Sequence, residues 1–314
     1  MNTLSKFVTA NGSFIDKNDY LYFYKFENLF SSLNNNKNII FYKPEWKDTK
    51  NHLIQIFHHF SNIKEKCLLL MTNGDVDIPC IKQEWFDQDN IPYSEETQKL
   101  IESTPIDSFL ELDILNLIPS NCKIYCNSVI KKSNNLNMIP LGRDFKGESE
   151  SNFSFDMNNK TNLCYYNCSI PPKSIHWYGR IREHIYNSVK NKSFVVCENI
   201  LPNNGRNIET ESFINYYNKI ASSKFMICPR GCGLDTYRMW DCLYLGCVPI
   251  VVKYEGYDDY SDLPILFIDK WQDYANLTED YLKNKWIEML EKKYNYDKLK
   301  FSWWKNKITS EINS

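Results

Sequence analysis

Short apolar runs alternate along this chain with stretches whose apolar residues recur at helical spacing. Asn38 to Tyr42 fits a short strand. From Asn51 to Phe60, the residues Leu53, Ile56, Phe57 and Phe60 fall three or four apart, which predicts an amphipathic helix. Cys67 to Met71 is continuously apolar, as a strand covered on both faces must be, and it ends in the turn-forming Thr72-Asn73-Gly74-Asp75. A helix over Phe109–Leu117 and a strand over Lys123–Cys126 follow. Lys146 to Asn162 is rich in Ser, Asn and Gly, lacks any period, and is expected to be a linker or long loop. Beyond it come a strand over Leu163–Ser169 and a helix over Tyr178–Lys190 with Ile181, Ile185 and Val189 inward. A strand over Ser193–Cys197 follows, then two late helices over Asp280–Tyr294 and Tyr296–Ile312. Strands alternating with helices predict an α/β chain built on parallel sheets. The length of 314 residues allows two domains, here 1–150 and 160–295.

The densest signal is Ser222 to Val252. Phe225 to Cys228 is apolar and stops at Pro229; Arg230-Gly231-Cys232-Gly233 then turns the chain. Glycine lets a ligand approach the backbone closely. Asp235 or Thr236 can cap the helix that follows. Leu234, Tyr237, Trp240 and Tyr244 give that helix an apolar face, Gly246 suits its C′ position, and Val248 to Val252 is the next buried strand. The unit is β-α-β, so its strands are parallel. Arg238 and Asp241 sit three apart on another face. The helix start, with Arg230 and Arg238, suits an anion such as a diphosphate, and Asp241 can accept from ribose hydroxyls. An ordinary turn and an exposed Arg238–Asp241 ion pair explain the same residues without a ligand.

Composition narrows the classes. The formal net charge of −2 gives no basic footprint for nucleic acid. No N-terminal apolar leader and no run of membrane-spanning length occurs, which leads to the expectation of a cytoplasmic protein. Eleven cysteines, an odd number scattered through apolar runs, fit reduced core thiols; no spacing matches a zinc site.

The string Ser223-Lys224-Phe225, Cys228-Pro229-Arg230-Gly231, Gly233, Asp235-Thr236, Arg238, Trp240 and Gly246-Cys247-Val248-Pro249 resembles the C-terminal half of exostosin-like glycosyltransferases of family 47 and their viral and xylosyltransferase-like relatives. Asp262 to Trp271 resembles a later strand and turn of the same group, and Met138 to Gly142 resembles the strand end before its interdomain linker. One departure is Asp241, where the family usually carries glutamate. The resemblance implies a GT-B fold, two Rossmann-like domains facing across a cleft. The C-terminal domain would hold a nucleotide sugar, expected to be a UDP-sugar, and the N-terminal domain a glycan or glycoprotein acceptor. It implies inverting, metal-independent transfer to a hydroxyl, with no obligatory cofactor. It puts Arg180, Arg230 and Arg238 on the phosphates, with Gly231, Gly233, Asp235 and Thr236 lining them, and Asp241 on the ribose. Asp75 is the candidate general base. In enzymes of this shape the last helix, here 296–312, crosses back to the first domain, where Trp303 and Trp304 can be buried.

Other readings stay open. Asp75-Val76-Asp77 at a strand end also fits the metal-binding pair of a GT-A glycosyltransferase. The chain can also be a catalytically silent sugar-nucleotide or glycan-binding module. A dehydrogenase is disfavoured because the glycine turn lacks full G-x-G-x-x-G spacing. Arg182 and His176 near the helix at 178–190, and Glu255, Tyr257 and Asp258 in the loop Tyr254–Tyr260, are further cleft candidates, each with a plain structural alternative.

Overall fold

The structure is a computed structural model that describes residues 19–33, 38–42, 49–71, 116–143, 159–170, 178–200, 210–231 and 233–313. Two all-parallel sheets carry it. In the first, β1 (Ile39–Tyr42), β2 (Cys67–Met71), β3 (Cys122–Cys126) and β4 (Leu136–Met138) lie in chain order. Helices α1 (Phe23–Leu33) and α2 (Thr49–Ser61) accompany it. The second sheet has the order β6-β5-β7-β8-β9, with β5 (Asn162–Ser169), β6 (Val195–Ile200), β7 (Ser223–Ile227), β8 (Val248–Val252) and β9 (Leu266–Ile268). Chain progression reverses between β5 and β7, and such switch points open a crevice outside the carboxyl ends of the strands.

The second sheet is covered on both faces, which is why its strands are continuously apolar. On one face α3 (Tyr178–Val189) and α6 (Glu279–Glu291) bury Ile181, Ile185, Val189, Leu282 and Trp286 against Tyr166, Phe225 and Ile250. The other face meets α4 (Thr210–Ala221) and α5 (Tyr237–Tyr244). There Tyr217, Ile220, Trp240 and Met226 join a core that continues into Leu69, Tyr125 and Phe30 of the first half. One apolar core thus runs through the junction of the two sheets.

The expected strand at 193 begins two residues later, because the Val195 N–H first closes a turn on the Lys192 carbonyl at 3.0 Å. The helix expected from Tyr296 is broken. A 3₁₀ turn spans Tyr296–Leu299, Lys300 is extended and bridges Tyr20, and α7 (Phe301–Asn313) follows. Trp304 on α7 is fully buried beside Tyr260, and Glu311 accepts from Lys123 Nζ and the Tyr125 hydroxyl of β3. Gly246 follows α5 with φ 66°, the left-handed stop that glycine favours. The helix expected over Phe109–Leu117, up to residue 115, and the linker up to residue 158 lie outside the described residues.

Tyr244 pins the junction. Its hydroxyl accepts from the Leu21 N–H at 2.8 Å and donates to the Leu299 carbonyl. Tyr244→Phe strands a backbone donor and an acceptor in a buried place, so we expect a loss of about 1–3 kcal/mol in urea unfolding.

Candidate functional site

The loop after β7 and the helix α5 dominate the carboxyl edge of the second sheet. Arg182, one turn into α3, is 7% exposed. Its Nε donates to the Arg230 carbonyl at 3.0 Å and its Nη1 to the Ser169 carbonyl at 3.1 Å. One guanidinium therefore ties the ends of β5 and β7 together at the switch point. Gly231 lies over it: a Cβ there would come within 3.3 Å of Arg182 Nη2, so a side chain would crowd the cation. Arg230 is itself 8% exposed, and its Nε donates to the Gly231 carbonyl at 3.3 Å.

Arg238 sits on the first turn of α5. Its charge acts on the hydroxyls of Tyr165 and Tyr166 on β5 and of Tyr216 on α4. Its Nε is buried with no hydrogen-bond partner, and no carboxylate lies within ion-pair distance of it among the described residues. Guanidinium stays charged at any physiological pH.

Beside the arginines lies a crevice lined by Ile181, Pro229, Leu234, Tyr254, Trp271 and Tyr274. These residues come from α3, the β7 loop, the segment after β8 and the 3₁₀ turn after β9, so the crevice opens where parallel sheets bind ligands.

The remaining expectations fare differently. Asp235 was expected to line the diphosphate as part of the Gly231–Thr236 backbone; its carboxylate is 4% exposed and bonded through both oxygens. Oδ2 accepts from the Leu141 N–H and Oδ1 from Trp240 Nε1, both at 2.7 Å. It fastens the loop to the first half. Asp241 was expected on a ribose. It is 3% exposed, and Oδ1 accepts from Arg143 Nε at 3.1 Å. Gly231 donates its N–H to the Gly233 carbonyl at 3.1 Å, within the turn. Thr236 occupies the N-cap position of α5 in extended conformation, but its side chain makes no capping bond. Arg180 lies on α3 beside Arg182; its side chain is outside the description. Asp75, Asp77, His176 and Cys232 lie outside the described residues.

The loop at 254–260 brackets the two halves of the protein. It forms a 3₁₀ turn over Glu255–Tyr260 whose Glu255 N–H donates to the Ile130 carbonyl at 3.2 Å. Glu255 accepts from the Lys132 N–H, Asp259 pairs with Lys132 Nζ, and the Tyr257 hydroxyl donates to the Leu234 carbonyl. Gly256 is pressed so closely on Val129 that a Cβ would meet its carbonyl at 2.2 Å.

Sequence reasoning missed Arg143 and ranked Arg180 over Arg182. Helical spacing held a signal for the second: Arg182, Ile185 and Val189 share one stripe, which is the inward one.

The nine described cysteines are free thiols, eight of them buried. No helix among the described residues is long and apolar enough to cross a membrane.

The family model described as the Exostosin GT47 domain matches residues 25–275, a span that takes in both sheets and the whole arginine cluster. A search of curated proteins finds no match to the chain. With two parallel α/β sheets joined as described, the chain belongs to the exostosin family 47 of glycosyltransferases and has their GT-B fold.

Proposed function

We infer that this glycosyltransferase takes its sugar from a nucleotide-sugar donor, a UDP-sugar by family resemblance, and binds the diphosphate at the carboxyl edge of the second sheet. The observation that carries this reading is Arg238, whose buried Nε lacks a partner beside two further arginines at the switch point. Arg230 and Arg238 take the phosphates, and Arg182 braces the loop under them. The turn from Gly231 to Thr236 and the first turn of α5 complete the cradle, because a helix start leaves N–H groups directed outward. The aromatic crevice by Tyr254 and Trp271 suits a nucleobase, whose flat face stacks on rings.

In the transfer, an acceptor hydroxyl attacks the anomeric carbon from the side opposite the diphosphate. Its proton passes to a general base, for which Asp75 is the candidate, and the bond from the anomeric carbon to the phosphate oxygen breaks. Charge grows on the departing diphosphate, and fixed guanidinium groups aimed at that charge lower the barrier. The configuration inverts in this single displacement. Because arginines supply the positive charge, no metal is required in this reading.

Thermal unfolding in the presence of UDP- and GDP-sugars tests donor binding, since a ligand bound to the native state raises the midpoint by mass action. We expect the UDP series to raise it and expect release of UDP to continue undiminished in excess EDTA. Activity abolished by EDTA and restored by Mn²⁺ would instead favour carboxylate-held metal at Asp75 and Asp77. Binding without any turnover of donor would identify a silent module.

A further inference from the structure

A second polar cluster stands on strands β5 and β6. Tyr165, Asn167 and Ser169 alternate along β5, so they share one face of the sheet. Glu198 of β6 is the register partner of Asn167. Its Oε2 accepts from the Tyr165 hydroxyl at 2.5 Å and from Asn167 Nδ2 at 3.2 Å, and Asn167 Nδ2 also donates to the Tyr165 oxygen at 2.7 Å. Tyr165 and Asn167 are buried, whereas the Glu198 side chain is 42% exposed. Lys219 Nζ of α4, itself half-exposed, stands 3.7 Å from the other oxygen, Oε1, which accepts no hydrogen bond among the described residues. Two buried side chains thus fix the orientation of a carboxylate at the surface and leave Oε1 open. Ser169, about 7 Å further along β5, is where Arg182 closes the switch point. The charge of Arg238 acts on the same Tyr165 hydroxyl that Glu198 holds.

Strand order says which part of a donor this cluster meets. β7, with its arginine loop, stands between β8 and β9 on one side and β5 and β6 on the other. The aromatic crevice draws Tyr254 and Trp271 from the β8–β9 side. A donor with its nucleobase there and its diphosphate at β7 and α5 carries its sugar toward β5 and β6. We propose that Glu198 reads that sugar: Oε1 accepts from its hydroxyls, and Tyr165 and Asn167 are positioning residues for the carboxylate. The proposal rests on the reading of the arginine loop as the diphosphate site. An ionised carboxylate only accepts, so it matches a group rich in O–H donors, and such bonds are the stronger for its charge. That same charge repels a second anion. The class of sugar is therefore neutral and hydroxyl-bearing, not a uronate. Because the carboxylate is already held, little ordering remains to be done when the sugar arrives.

The test is calorimetric titration of wild type, E198A, E198Q, Y165F and R238A with UDP, UDP-glucose, UDP-galactose, UDP-xylose, UDP-N-acetylglucosamine and UDP-glucuronate. The quantity read is the affinity for each UDP-sugar relative to UDP in the same protein, a ratio that a purely structural role of Glu198 does not move. E198A is expected to keep UDP within about threefold of wild type and to weaken the tightest neutral UDP-sugar about tenfold relative to UDP. Y165F keeps the ring but not the hydroxyl that orients the carboxylate, and loses about threefold on the same ratio. Wild type prefers the neutral sugars to glucuronate. E198Q keeps an acceptor for Tyr165 without the charge, and narrows that preference about tenfold. An unchanged ratio in E198A, or glucuronate as the tightest sugar in wild type, overturns the proposal. Should E198A not fold, the isosteric E198Q decides, and an unchanged preference there overturns it. UDP alone tests the reading beneath. Wild type that does not bind UDP, or UDP affinity unchanged in R238A, removes the diphosphate site; UDP lost in R238A with an unchanged ratio in E198A removes only the role of Glu198.

Discussion

Replacing Arg238 with alanine should lower the rate of sugar transfer by about 10²–10³-fold while leaving the protein folded. The size follows from what the guanidinium is asked to do. Deleting one fixed donor aimed at developing charge forfeits stabilisation that water, excluded or poorly oriented there, does not replace. The stability side is the sharper test. Most buried side chains cost stability when truncated, but Arg238 presents a buried Nε with no partner. Because the side chain is half-buried and its Nε has no partner to lose, truncating it should leave the unfolding midpoint of the apo protein nearly level. Steady-state sugar transfer and thermal unfolding of the same preparation check both halves. An Arg238→Ala protein that keeps its activity, or that loses it only by unfolding, would break the assignment. Lysine at the same place should recover part of the rate, since it keeps the charge but not the planar fork.

What the chain disclosed in advance was local. The strand at Ser223–Ile227, the helix at Tyr237–Tyr244, the glycine stop at Gly246 and the strand at Val248–Val252 each follow from residues within a few positions of one another. Strand polarity followed too, since a β-α-β unit of that length forces parallel pairing. The partners of the two carboxylates on this unit were not legible. Asp235 meets Leu141 across 94 residues and Asp241 meets Arg143 across 98. Nothing in the neighbourhood of Asp235 distinguishes a carboxylate that faces a ligand from one that fastens two halves of a protein. The same holds for Glu255 and Asp259, acidic residues in an aromatic loop that look solvent-facing until Lys132 and Ile130 arrive from the other sheet. Charges at a junction take their meaning from the partner surface, and that surface is set by the packing of two cores rather than by any short string. Arginines near glycine turns are more transparent because a helix start and a strand end point the same way whatever packs behind them.

Asp235 offers the largest effect on stability, and its sign is opposite to that of an ordinary paired carboxylate. Burial pushes its carboxyl up to about 7 from an ordinary 3.8, against the pull of the bonds from the Leu141 N–H, the Trp240 indole and the Thr236 N–H. Three donors are thus not enough to offset the loss of water around the charge. Between pH 4 and 7 the folded chain holds a proton that the unfolded chain has released, so this group's contribution is complete below about pH 4 and is lost as the pH rises through about 7. At 1.36 kcal/mol per decade the loss has a ceiling of about 4 kcal/mol. Asparagine at 235 has no proton to release. The difference in urea-unfolding free energy between wild type and Asp235→Asn should therefore shift steadily against the wild type from pH 4 to 7 and level off above that. Curves that run parallel over the whole interval would mean that the carboxylate is comfortably ionised in the folded state. The junction it fastens would then have to be wet, which its 4% exposure and the apolar core continuing past it argue against.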